Sequence, residues 1–326
     1  MSFHRRRVLA ALGLAGLLSM GALPAAAQGF PSKPVRLIVP AGAGAAPDVV
    51  ARLVADKLGS LWGQTLIVDN KPGAGGIPGM SALARSPNDG YTLGFVPAAM
   101  AIVTPLVYRN PQFSTDADLV PVATVATSPL LLVTASSTGI KSLADLSRHA
   151  RAHPGQVNFA APQPNSLPTL AGQMVSKLGQ MDLFTVPYPA PPAAVTAALS
   201  GDAALTADGL PGLLPHIRSG KLRALAVTSS QRLPGFETIP TVAETYPGFE
   251  AIGWFSLFAP VGTPAAVIEQ VNRDVAKVMQ LPDLVARLAD MGIYPRTGNV
   301  VAAREFYQGQ RDTMKRFVTE LGLQPQ

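Results

Sequence analysis

Site chemistry needs polar or ionisable side chains at fixed spacings, and this 326-residue chain offers few of them. It has no cysteine, which removes thiol nucleophiles, Cys-ligated zinc, iron–sulfur clusters and disulfide scaffolds together. His149 and His153 are four apart, a spacing that can chelate a metal from one helix face. Pro154 follows at once, however, and helices usually stop before proline. No acidic motif accompanies the pair, so no metal is expected. His216 lies in LPHIRSGK beside Arg218 and Lys221 and reads as a helix-end residue. There is no G-x-S-x-G elbow and no paired carboxylate arrangement, so no catalytic residue and no cofactor is expected.

What remains is a chemistry of loops. Ala41-Gly42-Ala43-Gly44-Ala45-Ala46-Pro47-Asp48 follows a β-rich run. A dinucleotide fingerprint would need a third glycine where Pro47 stands, and the Gly-Lys-Ser/Thr of a phosphate loop is absent. A small-residue loop opening a helix exposes free N–H groups and a positive dipole end, which suits an anion or a carbonyl oxygen near the backbone. The same residues would serve equally as a tight βα turn. Asp48 also has two readings: the helix N-cap, stabilising by ~1 kcal/mol, or an acceptor for a ligand donor. Pro72-Gly73-Ala74-Gly75-Gly76 is too glycine-rich for a packed element and reads as a turn or a second rim.

The elements that would position these loops alternate between strand and helix. Val35–Val39 predicts a strand, and VVARLVADKLGSLWG a helix with Val50, Leu53, Val54, Leu58 and Leu61 on one face. Strand runs follow at Thr65–Val68 and YTLGFV, with a short helix around Met80–Ala84 between them. Further strands are expected at Pro129–Ala135, Val157–Ala160, Thr185–Tyr188, Ala203–Ala207, Leu222–Thr228 and Phe255–Phe258. Helices are expected from Ser142, over Leu170–Leu178, over Val195–Leu199, and at the end over Pro264–Met279 and Ala302–Leu321. Pro234–Tyr246 is irregular. The alternation predicts an α/β fold with a largely parallel sheet. No low-complexity linker divides the chain, which two lobes, each a mostly parallel sheet flanked by helices and joined by a hinge of crossover strands, would explain. Crossovers are expected near Ala126–Leu132 and Ala251–Phe258. Lobe one then takes 28–127 and 253–326, and lobe two 128–252.

The formal charge of +6 would suit a nucleic-acid binder. The first 27 residues, however, read as a secretory signal: a cationic head at His4–Arg7, an apolar run from Val8 to Leu23, and small residues at Ala25–Ala27 for cleavage near Ala27. The run falls short of the ~20 residues a span needs. Without its three arginines, 23 of the 26 basic residues face 20 acidic ones, a net charge of +3. No basic run longer than two remains, and nucleic acid loses its electrostatic basis as a partner. The expected location is the periplasm, and the expected state a monomer.

Over nearly all of the chain beyond the leader, the sequence resembles the Bug family of extracytoplasmic solute receptors, the binding proteins of tripartite tricarboxylate transporters. PSKPVRLIVP (31–40), DVVARLVADKL (48–58), NKPGAGG (70–76), DGYTLGF (89–95), LPHIRSGKLRALAVTS (214–229), IPTVAE (239–244) and WFSLFAPVGTP (254–264) carry the resemblance. It implies a two-lobed binding protein that closes on a small organic acid in the interlobe cleft and delivers it to a membrane permease. A sensor protein as the recipient, or an exported enzyme on the same scaffold, are the alternatives. The departures fall on the ligand loops. The family's F-P-A-G-G-G-T-D is here Ala41 to Asp48, without the threonine and two glycines. Pro97-Ala98-Ala99-Met100-Ala101 lacks the usual Ser, Thr and His. G-N-G-[ST]-P-S-H becomes Gln163-Pro164-Asn165-Ser166-Leu167-Pro168-Thr169, and P-Y-K-G-S becomes Pro187-Tyr188-Pro189-Ala190-Pro191. The expected ligand contacts are therefore Ala41, Gly42, Ala43, Gly44, Ala45, Ala46, Asp48, Ala98, Ala99, Met100, Gln163, Pro164, Asn165, Ser166, Tyr188, Pro189, Ala190 and Asp208, around a ligand less polar than citrate.

Overall fold

The computed structural model describes residues 29–162 and 166–323. The expected leader, 1–27, and the expected contacts Gln163, Pro164 and Asn165 lie outside the described residues. The fold occupies the compact unit that begins at Lys33.

The chain first lays down β1 (Val35–Val39), α1 (Ala46–Trp62), β2 (Leu66–Asn70), α2 (Ile77–Ala84) and β3 (Thr92–Pro97). β1 pairs in parallel with both β2 and β3, because each helix carries the chain back to the edge where the previous strand began. β4 (Leu119–Ser128) follows, and Pro129 alone separates it from β5 (Leu130–Ala135), which lies in the other sheet. The second sheet is then built from α3 (Leu143–Ala152), β6 (Val157–Pro162), α4 (Leu167–Leu178), β7 (Leu183–Tyr188), α5 (Pro191–Ser200), β8 (Leu205–Gly209), α6 (Leu210–Arg218) and β9 (Leu222–Val227). An irregular stretch returns the chain to the first sheet through β10 (Gly253–Pro260). α7 (Ala265–Val278), α8 (Pro282–Asp290), β11 (Tyr294–Pro295) and α9 (Val300–Glu320) follow, and shorter helical turns lie between the elements named.

The sheet orders are β11-β4-β10-β3-β1-β2 and β7-β6-β8-β5-β9. In the first, β1 to β4 run one way against β10 and β11; in the second, β6 to β9 run one way against β5. The two-lobed α/β architecture holds, with the sheets mixed in their pairing. β5 and β10 are the strands through which the chain enters each sheet from the other. Each starts at the edge where its neighbours end, so each must run against them.

Several local expectations are corrected. α1 begins at Ala46 with Ala45 as its N-cap, so Asp48 is the third helical residue and not the cap. β4 was not foreseen as a strand: Pro121 interrupts its sequence pattern. Pro121 lies where the register against β10 skips a residue, a bulge that tolerates the missing N–H. A further helix, α8, stands between the two expected at the end. Ser142 does cap α3, accepting from Asp145 N at 3.0 Å, and Pro215 and His216 fall in the last turns of α6.

One continuous apolar core runs beneath both sheets, including Leu132 and Phe159 of the second and Trp254, Phe258 and Phe317 of the first sheet and α9. Within it lies Trp254, 1% exposed, with Phe306 and Tyr307 edge-on at 5.9 and 6.4 Å. Tyr307 also donates its hydroxyl to Asp116 at 2.8 Å, and Arg311 holds the same carboxylate at 2.9 Å. Tyr307→Phe is expected to destabilise the fold by about 1 kcal/mol, the low end for a charge-assisted bond because Asp116 is partly solvated. Chemical denaturation measures it, and an unchanged midpoint would contradict this role.

Candidate ligand cleft

Strand register places the loops. In the second sheet Ala160 pairs with Thr206, so Pro162 stands level with Asp208, and Pro162 itself pairs with Tyr188. The C-terminal ends of β6, β7 and β8 therefore form one rim. In the first sheet Val39 pairs with Asn70 and Ile38 with Gly94, which brings the ends of β1, β2 and β3 to another. The rims meet at the crossovers: Ser128 pairs with Gly253, and Leu130, two residues on, pairs with Gly209. Open α/β sheets bind ligands outside the carboxyl ends of their strands, which makes this shared edge the candidate ligand cleft.

On the first rim, Ala41 is buried, Gly42 is half-buried, and Ala43, Gly44, Ala45 and Ala46 are exposed. The loop is held by Asp48, only 3% exposed. Its carboxylate accepts from Gly44 N at 2.8 Å, Asn70 Nδ2 at 2.9 Å and Arg52 Nε at 2.9 Å. Asn70 also donates to the Ala41 carbonyl and accepts from Arg52. Burial pushes the Asp48 carboxyl upward, but the bonds from Arg52, Gly44 and Asn70 outweigh it and hold it below the ordinary carboxylate range. Asp48 is thus an anchor whose carboxylate takes three donors from the protein. Asn70 and Arg52 were not singled out from sequence. The four-residue spacing of Asp48 and Arg52 on one helix face was the available signal.

Ala98, Ala99 and Met100 are half-buried and belong to a helix start, a wide turn over Ala99–Val103, where a loop was expected. Gly76, at φ +86°, lies directly beneath Met100: a Cβ there would come within 2.4 Å of Met100 Cγ. Only glycine combines that backbone with that approach.

On the second rim, Ser166 caps α4, accepting from Thr169 N at 3.4 Å and donating to the Pro162 carbonyl. Tyr188 packs against Ala160, Ala194, Ala197 and Ala203. Pro189 is exposed, and Ala190 is the N-cap of α5. Asp208 is half-buried at the end of β8 and accepts from Gly209 N at 2.8 Å. Burial raises its carboxyl above the ordinary range, and that one backbone bond opposes it only in part. No recorded hydrogen bond joins any two of Asp48, Tyr188 and Asp208 among the described residues. His153 Nδ1 lies 3.0 Å from the His149 carbonyl, and the two rings are 4.6 Å apart.

Helix starts at both rims share one feature. α1, α2, α4, α5 and α6 each carry proline at the first or second helical position. Proline fits there without strain, but it removes one N–H from the start of each helix.

Two helix-flanked sheets joined by crossovers, with their strand ends turned to one cleft, define a two-lobed solute-binding protein. Residues 50–323 match the tripartite tricarboxylate transporter family receptor, and the chain belongs to that family. It is 35% identical to protein BugT of Bordetella pertussis over 97% of this chain and 98% of that one. Its fold is similar to that of R. palustris Rpa4515 with adipate, at TM-score 0.75 and 29% identity over 91% of this chain and 100% of that one. It is also similar to periplasmic binding protein BugD, at TM-score 0.71 and 27% identity over 91% and 100% of the two chains. The function of an extracytoplasmic solute receptor follows from membership of this family.

Proposed function

We propose that this receptor works in the periplasm and captures a small organic acid less polar than citrate, a branched or aromatic monocarboxylate. The lobes, 28–127 with 253–326 and 128–252, close on it through the two crossovers and deliver it to the membrane subunits of a transporter. The observation that carries this is the composition of the rims: proline and alanine stand where N–H groups and hydroxyls would contact a polyanion, and the Asp48 and Ser166 side chains are already bonded within the protein. Backbone N–H groups that remain free at the helix starts are enough for one carboxylate. The apolar side chains then favour a ligand with an apolar body. The adipate named with the R. palustris relative, a dicarboxylate with a methylene chain, supports a small organic acid as the kind of ligand. Binding to both lobes shifts the open–closed equilibrium only through contacts made in the closed state.

Calorimetry on the purified protein with citrate, succinate, phenylacetate and 4-methylpentanoate tests this. The apolar monocarboxylates should bind at least tenfold more tightly than citrate. Micromolar citrate binding overturns the ligand class. Mass spectrometry of material co-purifying with the native protein identifies the ligand directly.

A further inference from the structure

Asp208 is the charged side chain of the second rim, and among the described residues its carboxylate accepts one hydrogen bond. Its Oδ1 accepts from Gly209 N, while Oδ2 lies over Gly212, 2.8 Å from where a Cβ at that residue would stand. None of the ion pairs among the described residues involves it. It stands opposite Leu131, two residues beyond Pro129, and level with Pro162 and Tyr188. A second carboxylate brought to this place would meet a like charge in a poorly solvated setting, which is unfavourable, whereas an ammonium would supply the missing counter-charge.

We infer that Asp208 is a specificity-determining residue of the cleft that selects a zwitterionic aminocarboxylate, taking the ligand ammonium on Oδ2 and rejecting a second carboxylate. The ligand's own carboxylate then goes to the free N–H groups of the helix starts. A branched or aromatic amino acid meets both this demand and the apolar rims. The inference rests on the cleft being the ligand site and refines the monocarboxylate reading. Glycine at position 212 fits it, because any side chain there would crowd the Asp208 carboxylate.

Matched acids test it by calorimetry on the full chain. Phenylalanine, benzylmalonate and 3-phenylpropanoate share a body and differ in an ammonium, a carboxylate or a hydrogen at one carbon; leucine and isobutylmalonate form a second pair. In the wild type the amino acid should bind about tenfold or more tightly than its malonate partner, the ratio expected of one charge-assisted contact. Asp208→Asn keeps the shape and the Gly209 bond. It should weaken phenylalanine about tenfold, strengthen benzylmalonate, and leave 3-phenylpropanoate within about twofold. Opposite changes for two ligands on one scaffold are a result that a purely structural role for Asp208 would not produce, and thermal unfolding of the variant checks that the fold is intact. Equal or tighter malonate binding in the wild type, or an unchanged ratio in Asp208→Asn, overturns the inference while leaving the receptor reading in place. If no acid of any kind binds, the receptor reading fails and the inference with it.

Discussion

Trp254→Ala is expected to cost about 3–5 kcal/mol of folding stability, the range for removing a large buried aromatic side chain. Trp254 sits one residue inside β10, where the chain re-enters the first sheet, and pairs with Thr127 on the outgoing crossover. Its ring is 1% exposed and is held edge-on by Phe306 and Tyr307 of α9. The cavity left behind would lie between the two crossovers and the closing helix, where collapse would have to move a strand. Urea unfolding followed by circular dichroism measures the loss. Trp254→Phe retains an aromatic ring and should lose less than half as much. A cost below about 1.5 kcal/mol for the alanine variant would mean that Trp254 is not the keystone of the hinge region. Under the proposed closure through the two crossovers, ligand affinity should fall with stability.

Asp48→Ala is expected to cost about 2 kcal/mol and to weaken ligand binding as well. The carboxylate is buried and accepts three donors; removing it leaves the Asn70 amide and the Gly44 N–H short of a partner. The Arg52 contribution is discounted, because that side chain is 53% exposed and water replaces much of the contact. Because the loop from Ala41 to Ala45 takes its shape from this anchor, the free N–H groups on the first rim should lose their alignment. Asp48→Asn keeps one acceptor oxygen and should fall between wild type and alanine. The folded carboxyl is held below its ordinary value, so the stabilisation is full above the unfolded carboxylate range near 3.8 and fades as pH falls below it. An alanine variant of wild-type stability across that range would show that the network is incidental.

The sequence-derived elements and the folded ones agree where periodicity was strong and part where tertiary pairing decided. VVARLVADKL shows its apolar stripe, and α1 forms there, but its start depends on where Asp48 finds donors. Those donors are Gly44, Asn70 and Arg52, one of them on a different strand. β4 carries Pro121 and a run of alanine and threonine, a weak strand signal by itself. It is a strand because β10 and β11 flank it and a bulge accommodates the proline. Ala98 to Met100 has no turn signal, and its helical start comes from Met100 settling over Gly76.

By itself the sequence determined the class of fold, the lack of thiol chemistry, and the scarcity of polar groups in the loops after β1, β3 and β7, because these follow from residue types and local order. Only the tertiary structure decided which polar groups remain available. Asp48 and Ser166, expected among the ligand contacts, are bonded to their own neighbours, while Asp208 keeps a carboxylate oxygen with no cation beside it among the described residues. The physical reason is that a side chain's availability depends on what the fold brings within hydrogen-bond reach. Here those neighbours are set by strand register across residues far apart in the chain.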